Sequence, residues 1–423
     1  MTFNMPIKKI SLLLLFGMIL LCANPLMAQQ NGWTADPERV NQLKESRPDY
    51  LWDEAGVPDY DLPDPLLKPD GSTVETPDEW KEHRSDILEI FRSQVYGHRP
   101  GQPETLSFEI SEEKGNTMDG RAILKRINII SEHQGRNHQF ELTLFLPIDA
   151  VKPVPVFLLM NNRGPENTDP SRTEKSGFWP AEEVIERGYG IAAIQNNDLS
   201  PDDTEHFHEG VIRLFEGEIA IDERPADAWM ALAAWGWGAS RVLDYFETDP
   251  HVDEQRVALL GHSRGGKASL WAGAEDERFS LVISNESGAG GAALSKREFG
   301  ETIEAVNRFT HWFTPNFKEY NGREQDLPFD QHMLISLIAP RAVYVASADE
   351  DLWADPGGEY LSLACASPVY NLWGYDPIEP DNMPPLNSPV IHENRGYHIR
   401  SGGHNLTPQD WGYFMDFADQ LWR

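Results

Sequence analysis

"RVALLGHSRGGKASLWAGA", residues 256–274, decides the fold. Val257 to Leu260 form an unbroken apolar run, the pattern of a strand covered on both faces. The residues after Gly265 read as a helix. Between the two, Gly261, Ser263 and Gly265 spell G-x-S-x-G. A strand that bends sharply into a helix can hold a hydroxyl out only where glycines flank it, and the helix N-terminus adds a positive field at that oxygen. Ser263 is therefore the candidate nucleophile. Two cations follow it, Arg264 and Lys267. Lys267 falls one helical turn after Ser263, on the same face.

Upstream, "VPVFLLM" (154–160) and "GIAAIQ" (190–195) repeat the continuous apolar texture, and "DAWMALAAWGWGASRVLDYFETD" (227–249) reads as a helix. The first run ends in Asn161, Asn162 and Arg163, the second in Asn196, Asn197 and Asp198. Strands alternating with helices predict a mainly parallel sheet whose chemistry sits at the strand C-termini. Runs at 104–111, 121–131 and 138–146 predict an antiparallel start, the last with Phe140, Leu142, Leu144 and Leu146 in alternation. "TPDEWKEHRSDILEIFRSQVYG" (76–97) predicts a helix with Thr76 as N-cap, Pro77 in the first turn, Glu79 in a capping box and Gly97 at its end. Trp80, Ile87, Phe91 and Val95 would share its buried face. Residues 29–75 show no sustained period and predict an extended segment over the domain. The stretch 196–218 has the length and polarity of a loop.

With 423 residues, 40% hydrophobic and 25% charged, the chain can bury a large core. Residues 1–28 have the basic start, short apolar run and small-residue end of a signal peptide. A lipid anchor at Cys22 is the competing reading, disfavoured by Leu21 before it. Cleavage removes two lysines and no acid from a formal charge of −32, leaving −34. Such a charge repels nucleic acid and anionic membranes. The two cysteines are Cys22 and Cys365, so the exported chain would have no internal disulfide. The expected division is a leader (1–28), an N-terminal extension and helix packed on the core (29–100), and a catalytic domain (101–423). The chain is expected to be secreted or periplasmic and monomeric.

A serine needs a base, and "YHIRSGGHNLTPQDW" (397–411) offers His404 on a glycine-rich loop after the last strand. With 13 histidines in the chain, position carries this assignment. His332 reads as a packed helix residue, and "HFH" (206–208) has no ligand cluster to make a metal site. The acid that orients His404 has two candidates: Glu286, in "FSLVISNESGAGGAALS" (279–295), and Asp351, in "SADEDLWADP" (347–356). Both keep the order serine, acid, histidine, and spacing alone favours the second.

"GHSRGGK" (261–267), "ESGAGG" (286–291), "HWFTPNF" (311–317), "LIAPRAV" (337–343) and "GGH" (402–404), in this order, resemble the glucuronoyl esterases of carbohydrate esterase family 15. The resemblance implies an α/β-hydrolase fold, a three-layer sandwich around a mainly parallel sheet. It implies hydrolysis of the ester between 4-O-methyl-glucuronic acid of glucuronoxylan and lignin alcohols, with no cofactor and no metal. It places the triad acid at Glu286, with Asp351 as helper, and sugar contacts at Lys267, Glu301 and Trp353. The Arg264 backbone N–H and guanidinium would face the oxyanion. Fungal members carry cysteine where His262 stands, so the chain resembles the bacterial branch. Two rivals are an acetyl-xylan or other carbohydrate esterase, and an inactive carbohydrate-binding homologue.

Overall fold

A computed structural model describes residues 32–422. The expected leader and the anchor alternative at Cys22 lie outside the described residues. The sheet has ten strands: β1 Thr105–Asn116, β2 Ala122–His133, β3 Arg136–Pro147, β4 Val154–Asn161, β5 Gly190–Gln195, β6 Val252–His262, β7 Leu281–Asn285, β8 Ala342–Ala348, β9 Val390–His392 and β10 Arg395–Arg400. Their order across the sheet is β1-β2-β3-β5-β4-β6-β7-β8-β10-β9. β1 to β3 are antiparallel and β3 meets β5 antiparallel, as the alternating runs predict. From β5 through β4, β6, β7 and β8 to β10 every pairing is parallel, and the short β9 closes the edge antiparallel.

The continuous apolar runs are buried on both faces. In β4, Val156, Leu158 and Met160 enter one core, while Phe157 and Leu159 enter the other. In β6, Val257 and Leu259 face the first core and Ala258 and Leu260 the second. Helices Ala231–Phe246 and Arg264–Glu275 cover the first face, and helix Pro408–Trp422 covers the second. Three layers result, an α/β-hydrolase sandwich. Its parallel centre brings the C-terminal ends of β6, β7, β8 and β10 to one edge, where Ser263, Glu286, Asp351 and His404 follow within four residues of their strands.

The helix expected over 76–97 runs from Pro77 to Phe91, continues as one π turn to Tyr96, and ends at Gly97 with φ 91°. The Thr76 side chain accepts from the Glu79 N–H, and Glu79 accepts in return from the Glu75 N–H at 2.8 Å. Trp80, Ile87, Phe91 and Val95 are buried as predicted. Each such aromatic or aliphatic side chain contributes about 1.5–3 kcal/mol of burial. The segment before it is less extended than expected. A helix, Pro37–Ser46, forms there with no fully buried residue; Val40 and Leu43 alone pack half-buried against the core, too few to show a sustained period. After it Tyr50 and Trp52 pack against Trp353, with centroids 4.8 and 5.9 Å away, so the N-terminal segment buttresses the candidate site.

Candidate active site

Ser263 sits at the bend between β6 and helix Arg264–Glu275, with φ 57° and ψ −129°. This is a strained backbone for a residue with a side chain. The turn is tight enough that a Cβ at Gly261 would lie 1.9 Å from the Gly265 carbonyl oxygen, which explains the first glycine of the motif. The hydroxyl-bearing residue is half-buried, at a helix N-terminus whose first N–H groups have no intrahelical acceptors.

His404 stands on the loop after β10. Its ring centroid is 4.4 Å from that of His262, the residue preceding the serine. Among the described residues the Ser263 hydroxyl makes no hydrogen bond to it; such contacts often tighten only with substrate bound. His404 Nδ1 is 2.6 Å from Asp351 Oδ2 and 3.3 Å from Glu286 Oε2, so both candidate acids meet one imidazole nitrogen. The tighter bond is Asp351's, whereas the resemblance ranks Glu286 first. Glu286 is engaged elsewhere: Arg400 Nη2 donates to its Oε1, and the Asn405 N–H donates to Oε2 at 3.0 Å. Its backbone also lies at φ 48°, fixed by a 2.7 Å bond from its N–H to the Ala346 carbonyl.

In the sequence Arg400 is legible only as the end of a strand. Buried, it pairs through Nε with Asp410 at 2.8 and 3.0 Å and donates to the carbonyls of Ser401, Gly403 and Asn405. One guanidinium thus shapes the loop that carries His404. Sequence reasoning also misses how the His262 side chain is held. Asn285 Oδ1 lies 2.6 Å from its Nδ1 and Arg163 Nη2 lies 3.2 Å from its Nε2. The second contact requires Nε2 to accept, so Nδ1 carries the proton. Burial, with His404 and Arg163 nearby, holds its pKa well below the ordinary value and keeps it neutral.

Burial pushes the Glu286 carboxyl up to about 8, only partly opposed by His404 and Arg400. For His404 burial acts downward, but the bonds from Asp351 and Glu286 outweigh it and push the imidazole up to about 10. A base must be neutral to take a proton, so raising the imidazole moves its useful form to alkaline pH. We expect the acidic limb of the kcat/KM profile to lie above the ordinary imidazole value of 6.5. Asp351→Asn, which removes a stabilising charge, should move that limb to lower pH; an upward or absent shift would contradict this electrostatic reading.

Both cations after the serine have protein partners, and for Lys267 these differ from what the sequence suggests. The Arg264 guanidinium is held by Asp202 through Nε and donates from Nη2 to the Asn162 carbonyl at 2.9 Å. Its remaining N–H groups are available, and the side chain is 30% exposed. Lys267 was expected to face sugar hydroxyls, but its side chain is only 3% exposed. Its ammonium donates to the carbonyls of Ser287 (2.6 Å) and Ala289 (2.5 Å) and to Glu301 Oε2 (2.7 Å), and three donors with three protein acceptors are saturated. Lys267 instead ties the nucleophile helix to the loop after β7 and fixes Glu301, while Trp353 Nε1 donates to Glu301 Oε1 at 3.1 Å. The structure therefore brings Lys267, Glu301 and Trp353 into one chain of bonds.

Other predicted features fall outside this cluster. His332 Nε2 lies 2.8 Å from the Pro63 carbonyl oxygen, where only a donor fits. In the 206–208 stretch, His206 pairs with Asp203 at 2.6 Å. Among the described residues, the side chains grouped closely enough to hold an ion are Glu286, Asp351 and His404, whose atoms lie within 4.8 Å of one another; their mutual bonds already account for that closeness.

The family description "Glucuronyl esterase, fungi" matches residues 223–374. Carbohydrate esterase MZ0003, from an unknown prokaryotic organism, is 38% identical over 93% of this chain and 96% of its own length. The 4-O-methyl-glucuronoyl methylesterase 1 of Wolfiporia cocos is 31% identical, over 75% of this chain and 74% of its own. Among solved structures, a glucuronoyl esterase from Solibacter usitatus superposes with a TM-score of 0.82 at 40% identity, covering 87% of this chain and all of the other. A promiscuous CE15 esterase from a marine bacterial metagenome gives 0.80 at 38%, covering 88% and 100%.

Proposed function

Since the chain belongs to the glucuronoyl esterases of carbohydrate esterase family 15, and so to the carboxylic ester hydrolases, we propose that it cleaves the ester between 4-O-methyl-glucuronic acid of glucuronoxylan and lignin alcohols, and that Ser263 is its nucleophile. One observation carries this reading: a serine held at a strained bend at the sheet edge where His404 meets two carboxylates, followed by a helix whose Lys267 is bonded to Glu301 and through it to Trp353.

Ser263 Oγ attacks the uronate carbonyl carbon while His404 Nε2 takes its proton. Asp351 holds Nδ1–H, fixing the tautomer and stabilising the imidazolium, with Glu286 as a second acceptor. Negative charge gathers on the carbonyl oxygen, facing the backbone N–H and free guanidinium N–H groups of Arg264. When the tetrahedral intermediate collapses, the C–O bond to the alcohol breaks and His404 returns the proton to the departing oxygen. Water, deprotonated by His404, then attacks the acyl carbon; the bond to Ser263 Oγ breaks, His404 returns the proton to that oxygen, and the uronate leaves. Glu301, held by Lys267, offers its carboxylate to sugar hydroxyls, and the partly exposed indole of Trp353 offers a face to the pyranose. Residues 1–28 direct the chain out of the cytoplasm in this reading, where its polymeric substrate lies.

The test compares benzyl glucuronate with an acetylated sugar under the same conditions. Faster hydrolysis of the glucuronate supports the reading. Faster acetate release would assign the enzyme to acetylated carbohydrate, and hydrolysis of neither would point to a binding homologue.

A further inference from the structure

The stretch 196–218, read from the sequence as a loop, contains short helices at Asn196–Leu199 and Val211–Glu216, and the loop between them brings Asp202 to Arg264. Asp202 Oδ2 accepts from Arg264 Nε, and its Oδ1 accepts from Trp312 Nε1 at 2.7 Å and His311 Nε2 at 2.8 Å. His311 is held in turn, with Nδ1 3.2 Å from the Thr204 hydroxyl of the same loop. The Asp202 side chain is 17% exposed. Burial alone would raise its pKa, but the bonds from His311 and Trp312 and the Arg264 charge outweigh it, so the group stays ionised. The Trp312 ring also lies beside the guanidinium, 6.0 Å from centroid to Cζ.

A guanidinium is planar, so two bonds at different edges fix the directions of all its N–H groups. Asp202 holds Nε and the Asn162 carbonyl holds one proton of Nη2, which leaves three N–H groups aimed by the frame. A carboxylate beside a cation weakens the field at a developing oxyanion, so charge alone would make Asp202 a hindrance. Its benefit must be geometric, in sparing Arg264 any reorganisation during the reaction.

We propose that Asp202 is a positioning residue for ester hydrolysis, contributed by the 196–218 stretch, which holds Arg264 in the orientation that meets the carbonyl oxygen. The proposal rests on the reading of Arg264 as an oxyanion donor.

The test uses the full chain with benzyl glucuronate, in Asp202→Asn, Arg264→Ala and the double variant, with rates expressed per site titrated by a serine-directed phosphonate. An asparagine at 202 keeps an acceptor for both Trp312 and His311 only by turning its NH2 group toward Arg264 Nε, which releases the guanidinium. Asp202→Asn should lower kcat about 10- to 100-fold with KM changed less than about twofold. Arg264→Ala should lower kcat roughly 100- to 1000-fold. The double variant should match Arg264→Ala within about twofold, because the effect of Asp202 passes through that arginine. If Asp202→Asn yields no titratable sites, Asp202→Glu, which keeps the charge but shifts the guanidinium, takes its place in the same cycle. Full activity in Arg264→Ala would overturn the oxyanion reading itself. An impaired Arg264→Ala beside an unimpaired residue-202 variant, or losses that multiply in the double variant, would overturn the role of Asp202 alone.

Discussion

Ser263→Ala is expected to lower kcat/KM for a glucuronate ester by roughly four to six orders of magnitude while leaving the fold intact. The size follows from the geometry. The hydroxyl stands where β6 bends into its helix, so removing one oxygen removes the atom that forms the covalent bond and disturbs no packing. The residual rate would come from the oxyanion donors and from substrate positioning, which need no nucleophile. Alanine tolerates the strained backbone at 263 no better and no worse than serine does, so melting temperature should change little. Rates of hydrolysis and thermal unfolding, measured on the same preparation, separate loss of chemistry from loss of structure. An enzyme that keeps its activity without the hydroxyl would remove Ser263 from the mechanism.

The second large effect separates the two acids. Asp351→Asn should cost roughly 100- to 1000-fold in kcat, and Glu286→Gln about tenfold. Asp351 makes the 2.6 Å bond to His404 Nδ1, and an asparagine there can turn its amide N–H toward that nitrogen and favour the wrong tautomer. Glu286 is 3.3 Å from the same nitrogen and has Arg400 and the Asn405 N–H as its other partners, so its loss acts mainly on the loop that carries the imidazole. Neither loss should reach the full value for removing a lone triad acid, because the other carboxylate remains in contact. Kinetics of both variants and of the double variant check this. A larger loss for Glu286→Gln would restore the order that the resemblance suggests.

What can be read from the sequence follows from how local the responsible physics is. The bend at Ser263 is legible because its cause, a clash across five residues relieved by Gly261, lies within the motif. The two-sided burial of β4 and β6 is legible because a strand with one face in water would alternate polar with apolar residues, and these runs do not. His404 is placed by its position after the last strand. Helix Pro37–Ser46 escapes because only Val40 and Leu43 pack, half-buried, against the core; its other signals are those of its ends, Asp36 as N-cap, Pro37 at the start and Lys44 in the last turn. The use of Lys267 is not legible, since its acceptors are two backbone carbonyls of a distant loop and a glutamate 34 residues away. Arg400 and Asp202 share that difficulty. Each is an ordinary charged residue in the sequence, and its importance arises from partners that only the folded sheet edge brings within reach.

Intact-protein mass spectrometry after an acid quench, during turnover of a benzyl glucuronate, tests the covalent route most directly. The account predicts a transient mass increase equal to one glucuronoyl group, mapped by digestion to the peptide containing Ser263 and absent from Ser263→Ala. An adduct on a different residue, or turnover that persists in Ser263→Ala with no adduct formed, would contradict it.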